Sequence, residues 1–151
     1  MALVTTLEEL SGLVGREIAV TEWMEITQER INQFADATED HQWIHVDRER
    51  AQRESPYGAT IAHGFLTLSL LSKFLRDAIQ IGGLRMAINY GLNRVRFPSA
   101  VRAGSRIRAR IVLQSMRDAG DATEVIYSIT IESQRAEKTC CVAEWLARYY
   151  A

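Results

Sequence analysis

The segment Gly64–Ile79 constrains the fold of this chain more than any other stretch of its sequence. Apolar side chains occupy nine of its 16 residues, and its only charged residues, Lys73, Arg76 and Asp77, lie near its end. A helix that is apolar on most sides must be buried on most sides. Because a membrane span needs roughly 20 residues, we expect a sheet wrapped around this helix instead. We expect Gly82-Gly83 to end it.

Strand-like segments suited to such a sheet follow in the C-terminal half of the chain. Most of them alternate between apolar and polar residues; Ile107, Ala109 and Ile111, for example, alternate with arginines. The predicted strands are Arg85–Phe97, Ser105–Arg117, Ala122–Gln134 and Thr139–Tyr149. The last three are joined by short polar connections, as in β-hairpins, so we expect them to be antiparallel neighbours.

Local signals predict smaller elements in the N-terminal half. In chain order they are a helix opened by the capping box of Thr6 and Glu9 and ended at Gly12 or Gly15, a strand within Arg16–Ile26, a helix from Thr27 to about Ala37, a helical turn over Arg48–Glu54 capped by Asp47, and a turn at Ser55–Gly58. No period persists between the second helix and Asp47. We therefore expect Asp40, His41 and His45 to lie on a loop.

The composition excludes several classes of function. With 47% hydrophobic and 25% charged residues, the chain is expected to form one domain, residues 1–151. The formal net charge is -1, so neither nucleic acid nor an anionic membrane is an expected partner.

The only cysteines, Cys140 and Cys141, are adjacent and cannot easily bridge within one strand. We expect them to be buried and structural, and we expect a cytoplasmic location.

The stretch from Asp36 to Leu70 contains all three histidines of the chain. Asp40 and His45 lie five residues apart in it, a spacing that lets a carboxylate and an imidazole hold one water molecule between them. The carboxylate then removes a proton as the water oxygen attacks, and the imidazole positions the water or relays the proton. The pattern favours hydration chemistry, although an aspartate and a histidine at this spacing also occur often by chance.

His63 is followed directly by Gly64 at the predicted start of the apolar helix. Backbone N–H groups in the first turn of a helix lack partners, and they can stabilise a carbonyl oxygen that gains negative charge. A glycine at this position lets a ligand approach the backbone closely. The alternative is that Gly64 only permits a tight turn into the helix.

The three histidines together with Asp40 also raise the alternative of a metal site. The spacing argues against it, because His41 and His45 share a face only on a helix, and the chain has neither a C-x-x-C nor an H-E-x-x-H pattern. We therefore expect no bound metal. For His41 and His63 the ordinary alternative is a hydrogen-bonded structural role.

Arginines and aromatic residues supply further binding candidates. An arginine cluster, which can bind the phosphates of a nucleotide-like carrier, comprises Arg94, Arg96, Arg102, Arg106, Arg108 and Arg110. The last three alternate along a predicted strand as a solvated face does, so Arg94 and Arg96 remain the candidates. Trp43 and Tyr57 either form the wall of an apolar pocket or simply pack against their neighbours.

Three blocks of sequence resemble one protein family when they are taken together. They are DATEDHQWIHVD, YGATIAHGFLTLSL and NYGLNRVRFPSAVRAGSRIR, and they lie in this order across Asp36–Arg108. They resemble the MaoC-like (R)-specific enoyl-CoA hydratases and dehydratases, most closely the nodulation protein N-like branch. The commoner family pattern is G-D-x-N-P-x-H, whereas Gln42 and Trp43 replace the asparagine and proline here. Gln42 can donate and accept hydrogen bonds as asparagine does.

The resemblance implies an α+β hot-dog fold, in which a curled antiparallel sheet wraps around a long central helix and two subunits pair as a homodimer. It also implies that Asp40 and His45 are the catalytic dyad and that the Gly64 N–H polarises a thioester carbonyl. We expect the substrate to contact a wider set of residues, namely Gln42, Trp43, Tyr57, His63, Arg94 and Arg96.

The implied reaction is the (R)-specific hydration of 2-enoyl thioesters of CoA or an acyl carrier, and the reverse dehydration of (R)-3-hydroxyacyl thioesters. It requires no metal or redox cofactor, because the thioester itself acidifies the α-carbon and accepts the charge. Two alternatives share the fold: a hot-dog acyl-CoA thioesterase, and a non-catalytic sensor that binds acyl-CoA.

Overall fold

A curled, mostly antiparallel sheet packs against the central helical segment. The computed structural model describes all residues from 1 to 151. In chain order the elements are β1 (Leu3–Thr5), α1 (Leu7–Ser11), β2 (Glu17–Val20), β3 (Met24–Glu25), α2 (Gln28–Thr38), α3 (Trp43–Val46), α4 (Arg48–Glu54), α5 (Gly64–Ser69), α6 (Leu71–Ala78), β4 (Ile79–Ile81), β5 (Met86–Arg96), β6 (Arg106–Asp118), β7 (Thr123–Ser133) and β8 (Cys141–Tyr150). This architecture confirms the α+β hot-dog fold.

The central helix is interrupted once, which its apolar pattern did not indicate. The Leu70 N–H is shared between the carbonyl oxygens of Leu66, at 3.2 Å, and Thr67, at 3.3 Å. A bond to the third preceding residue tightens the backbone locally, as in a 3₁₀ turn, and separates α5 from α6. The helical path continues across the interruption because the Phe74 N–H bonds the Leu70 carbonyl oxygen at 3.0 Å.

The end of the central helix also differs from the prediction. Ile79 has an extended backbone and begins β4, which pairs in parallel with β1. The prediction that Gly82-Gly83 ends the helix is therefore wrong. These glycines follow β4 instead, where Gly83 has a φ of 78°, a conformation that a side chain would make costly.

The apolar side chains of α5 and α6 are buried on most sides, as their composition predicts. Leu71 and Phe74 are each 2% exposed, and Leu66 is 5% exposed. Phe65 is the exception, at 72% exposed. None of the helices is both long and apolar enough to cross a membrane.

The strand order of the main sheet is β2-β6-β7-β8-β5, and β3 also pairs with β6. Its strand pairs are antiparallel, which confirms the prediction that the three C-terminal strands are antiparallel neighbours. The strand predicted within Arg16–Ile26 is divided into β2 and β3. The small parallel sheet of β1 and β4 was not predicted, because three-residue strands carry too little periodicity to be recognised.

The alternation along the strands separates the core from the outer face of the sheet. On β6, Ile107, Ala109 and Ile111 are fully buried in a cluster of 26 core residues that also includes the α6 side chains. The arginines between them point to the other face. Arg108 pairs there with Glu132, and Arg110 pairs with Glu17, so these arginines form the predicted solvated face.

The burial of α6 leads to a prediction about stability. Phe74→Ala removes a phenyl ring from the core and leaves a cavity, which typically costs about 3–5 kcal/mol in the free energy of unfolding. Phe65→Ala is a matched control on the neighbouring helix, because its exposed ring should change that free energy by less than about 0.5 kcal/mol. Urea denaturation of both variants measures the difference. Equal losses would contradict the described packing.

Candidate active site

Asp40 lies on a short loop directly after α2. The preceding residue, Glu39, has a φ of 60° and is the only non-glycine residue with a left-handed backbone. This conformation ends the helix and redirects the chain. Asp40 is exposed, and its carboxylate makes only a long contact, 3.4 Å, with the Gln42 N–H.

The prediction that His45 lies on a loop is wrong, because it belongs to the short helix α3. A four-residue helix is too short to show a period, so the sequence pattern could not reveal it. A contact from α2 positions α3: the Gln28 Nε2 donates to the His45 carbonyl oxygen at 2.7 Å. The Gln28 Oε1 accepts a hydrogen bond from the Thr60 hydroxyl, which ties α2 to the segment before α5.

The imidazole of His45 is buried, with 7% of the residue exposed. Its Nδ1 lies 2.7 Å from the carbonyl oxygen of Ile61. A carbonyl oxygen can only accept, so Nδ1 carries the hydrogen and the neutral ring has its lone pair on Nε2. Burial lowers the pKa of His45, although the bond to Ile61 and the charge of Asp40 oppose this effect. His45 is therefore a neutral base near pH 7.

His63 lies directly against His45. The two imidazole rings are stacked, with centroids 3.8 Å apart and planes inclined by 22°. The His63 Nε2 lies 3.0 Å from the backbone carbonyl oxygen of Asp40, and Phe34 packs on the ring at 4.9 Å between centroids. The fold thus brings together three of the residues that the sequence singled out.

One carboxylate oxygen of Asp40 and one ring nitrogen each of His45 and His63 lie within 4.8 Å of one another. A water molecule that donates two hydrogen bonds of ordinary length spans about 4.6 Å between its acceptors. The Asp40 carboxylate and the His45 Nε2 are both acceptors. One water can therefore donate to both groups and keep an oxygen lone pair free for attack.

The same atoms are close enough to raise the question of a metal ion. A metal lies near the plane of each imidazole that binds it, at about 2.0–2.1 Å from the nitrogen. The stacked rings of His45 and His63 have nearly parallel planes 3.8 Å apart at their centroids. No single point at the metal–nitrogen distance from both rings also lies near the planes of both rings. This arrangement therefore suits a water molecule better than a chelated metal.

Gly64 is the first residue of α5, and its N–H makes no hydrogen bond within the chain. The ring of Phe97 packs over it: a Cβ on Gly64 would lie 3.1–3.2 Å from three ring carbons. A larger residue would therefore push the Phe97 ring by a few tenths of an ångström. Glycine also adds no side chain next to its own free N–H, so both interpretations of Gly64 from the sequence agree with its surroundings.

A cavity of about 530 Å³ extends from Gly64. Tyr57 and Phe97 line its apolar part, which agrees with the expectation that Tyr57 forms a pocket wall. Three cationic side chains line it too: Arg102, which belongs to the arginine cluster named from the sequence, and Arg135 and Lys138, which the sequence did not single out. No local pattern marks Arg135 and Lys138, because they lie on the loop after β7 and meet Arg102 only in the fold.

Other candidates from the sequence lie away from the cavity. Trp43 packs under the guanidinium of Arg50, 4.3 Å from the ring centroid. Arg94 and Arg96 are exposed on β5 and do not line the cavity. The exposed His41 pairs with Asp36 at 2.8 Å, which fits its expected structural role.

The two cysteines are buried and free, which confirms their expected environment. Burial raises the pKa of the Cys140 thiol, and it raises the pKa of Cys141 to about 11. A thiol with a raised pKa is a poor nucleophile near pH 7.

Comparison with known proteins places this chain in a family. A model of the MaoC-like domain matches residues 9–134. The chain belongs to the MaoC-like dehydratase family. Over 147 residues it is 47% identical to 3-hydroxyacyl-thioester dehydratase Z of Mycobacterium tuberculosis, with 97% of each chain covered. It is also 46% identical to Nodulation protein N of Rhizobium meliloti over 144 residues, which cover 94% of this chain and 89% of that protein.

Solved structures support the fold of this MaoC-like chain. An Archaeoglobus monoamine oxidase regulatory protein superposes with a TM-score of 0.79 at 23% identity, covering 99% of this chain and 98% of that one. The (R)-hydratase PhaJ1 of Pseudomonas aeruginosa has a TM-score of 0.73 at 21% identity, with coverage of 91% and 81%. The resemblance read from the sequence is thus confirmed at the level of family and fold.

The environment of His45 leads to a prediction about pH dependence. Its folded pKa is lowered from the usual 6.5, so the unfolded chain binds a proton in a pH range where the folded chain does not. The free energy of unfolding should therefore decrease as the pH falls through 6.5 toward the folded pKa. Urea denaturation between about pH 5 and about pH 8 measures this. His45→Gln should show a shallower decrease, and an equal slope in both proteins would contradict the assignment.

Proposed function

We propose that this MaoC-like protein catalyses the (R)-specific hydration of 2-enoyl thioesters and the reverse dehydration of (R)-3-hydroxyacyl thioesters. The observation that carries the proposal is the close approach of the Asp40 carboxylate to the ring of a buried, neutral His45 whose Nε2 is bare. The relative named 3-hydroxyacyl-thioester dehydratase Z and the (R)-hydratase structures support the same activity.

In the hydration direction, one water donates its hydrogen bonds to Asp40 and His45 and attacks C3 of the enoyl chain. Asp40 takes a proton from this water as the C–O bond forms, while His45 holds the water and relays protons. The electron pair of the double bond moves toward C2, and C2 then receives a proton from the dyad. General acid–base steps of this kind typically contribute about 10²–10⁴-fold in rate.

During the attack, negative charge collects on the thioester oxygen, which takes on enolate character. The unpaired N–H of Gly64 is the donor that we assign to this oxygen. Removing one such donor typically costs about 10²–10³-fold in rate. The thioester itself delocalises the electrons, so the proposed reaction needs no metal or redox cofactor.

The carrier arm of the thioester fits the cavity that begins at Gly64. Its phosphates then meet the cationic side chains of Arg102, Arg135 and Lys138, which line the same cavity. We place the phosphates at these side chains and not at Arg94 and Arg96, which do not line the cavity. CoA and an acyl carrier both present a phosphate on the arm.

Asp40→Asn should reduce the hydration of crotonyl-CoA by at least about 10²-fold, because the amide cannot take a proton from water. The assay follows loss of the enoyl absorbance and appearance of the (R)-3-hydroxy product. His45→Gln should lose activity similarly. His41→Gln is a matched control, because that exposed histidine pairs only with Asp36.

An unchanged rate in Asp40→Asn would overturn the assignment of the dyad. Release of free thiol without a hydroxy product would indicate a thioesterase instead. Acyl-CoA binding with neither product would indicate a sensor. Circular dichroism of each variant separates a loss of chemistry from a loss of fold.

The edge strand β5 supports a homodimer. It pairs with β8 on one side and with no strand on the other. Its large apolar side chains Met86, Ile88, Tyr90 and Leu92 are 41–54% exposed. Unpaired edges that carry apolar side chains are templates for another chain. We place a second copy of the protein on this strand.

Sedimentation should therefore give a dimer for the wild type at micromolar concentration. Ile88→Lys should yield monomers, because it puts a charge into the apolar contact. Val14→Lys is the control, because Val14 is 44% exposed but lies far from β5 in the sequence and outside the sheet. A monomeric wild type would contradict the proposed dimer, as would a dimeric Ile88→Lys variant.

The single domain 1–151 and the cytoplasmic location remain predictions. The contiguous 26-residue core supports the first.

A further inference from the structure

His63 is the one side chain that contacts both members of the proposed dyad. It hydrogen-bonds the backbone of Asp40 and stacks on the ring of His45, and no other side chain hydrogen-bonds or stacks with both. These contacts link residues 23 and 18 positions away in the chain. We propose that His63 is a positioning residue that fixes the positions of Asp40 and His45 relative to each other around the catalytic water, an inference that rests on the proposed function.

The hydrogen bond to Asp40 determines the tautomer of His63. A carbonyl oxygen can only accept, so the Nε2 of His63 must carry the hydrogen. Its Nδ1 is then bare in the neutral ring, and this atom is buried with no partner. The ring thus gives its Nε2 hydrogen to the Asp40 backbone and has no hydrogen-bond partner on its other nitrogen.

The stacked ring also acts on His45. The His63 imidazole, whose centroid lies 3.8 Å away, covers one face of the His45 ring and restricts its tilt. The Ile61 carbonyl oxygen holds the opposite nitrogen at 2.7 Å. Together the two contacts set the direction of the His45 Nε2 lone pair, which has to point at the water.

The backbone of His63 links the positioned dyad to the proposed thioester site. Its carbonyl oxygen accepts hydrogen bonds from the Leu66 N–H, at 3.0 Å, and the Thr67 N–H, at 3.2 Å, so the residue is fixed to the first turn of α5. Gly64 is the next residue. His63, which positions the dyad around the water, is thus directly followed by Gly64, whose N–H we assign to the thioester oxygen.

His63 acts through its neighbours and not by touching substrate. The residue is 3% exposed and does not line the cavity. This role differs from the expectation that His63 binds substrate, and the two make different kinetic predictions. A positioning residue affects kcat, whereas a binding residue affects KM.

The test uses two substitutions that each keep half of the interaction. His63→Phe keeps a flat ring on His45 but loses the donor to Asp40, and His63→Gln keeps a donor but loses the ring. With crotonyl-CoA, each variant should lose roughly 10-fold to 10²-fold in kcat with KM nearly unchanged, as expected for misplaced catalytic groups. The His45 pKa, followed by NMR, should rise in His63→Gln, because loss of the stacked ring exposes His45 to water, and should stay lowered in His63→Phe, which keeps a ring there. His41→Gln should change neither quantity.

A KM increase at constant kcat would overturn the proposal in favour of substrate binding, and unchanged kcat in His63→Phe would overturn it outright. If both variants fail to fold, nitrogen NMR of the wild type still decides, because hydrogen on Nδ1 of His63 would contradict the inferred tautomer. That measurement needs no activity. A wild type that does not hydrate crotonyl-CoA would instead refute the proposed function.

Discussion

Burial of the apolar central helix is the constraint on which the rest of the structure depends. The side chains of α5 and α6 fill the core against the sheet, and close packing leaves them little freedom to shift. His63 and Gly64 stand at the start of this buried segment. Because the helix cannot move, these two residues become fixed reference points, and the exposed Asp40 loop is positioned relative to them. The positions of the site residues thus depend on packing in the core.

The paired histidines show how burial tunes the chemistry of the site. Both rings are almost inaccessible to solvent, and each donates one hydrogen bond to a backbone carbonyl oxygen, of Ile61 or of Asp40. These bonds leave one bare nitrogen on each ring, and desolvation disfavours the charged form of His45. Asp40, in contrast, is exposed to solvent beside them. A buried base next to a solvent-exposed acid suits a reaction in which a proton leaves water and later reaches carbon.

Predictions from the sequence succeeded where a local pattern carried the information. The capping residues Thr6 and Thr27 begin their helices as expected, and the alternation on β6 places Ile107 and its neighbours in the core. They failed for the short helix that carries His45, because four residues cannot display a period. Arg135 and Lys138 were missed for a different reason: they are distant in the chain from Arg102 and line the same cavity only in the fold.

The sequence by itself determined the family, the order of the main elements and the pair of residues proposed to act on water, because periodicity and motif spacing are local properties. Only the tertiary structure decided how those residues face one another. The stacking of His63 on His45, its bond to Asp40 and the interruption at Leu70 depend on packing and hydrogen bonding in the folded core. The two His63 contacts join groups about 20 residues apart, and such contacts form only when the chain folds, so no single stretch of sequence encodes them.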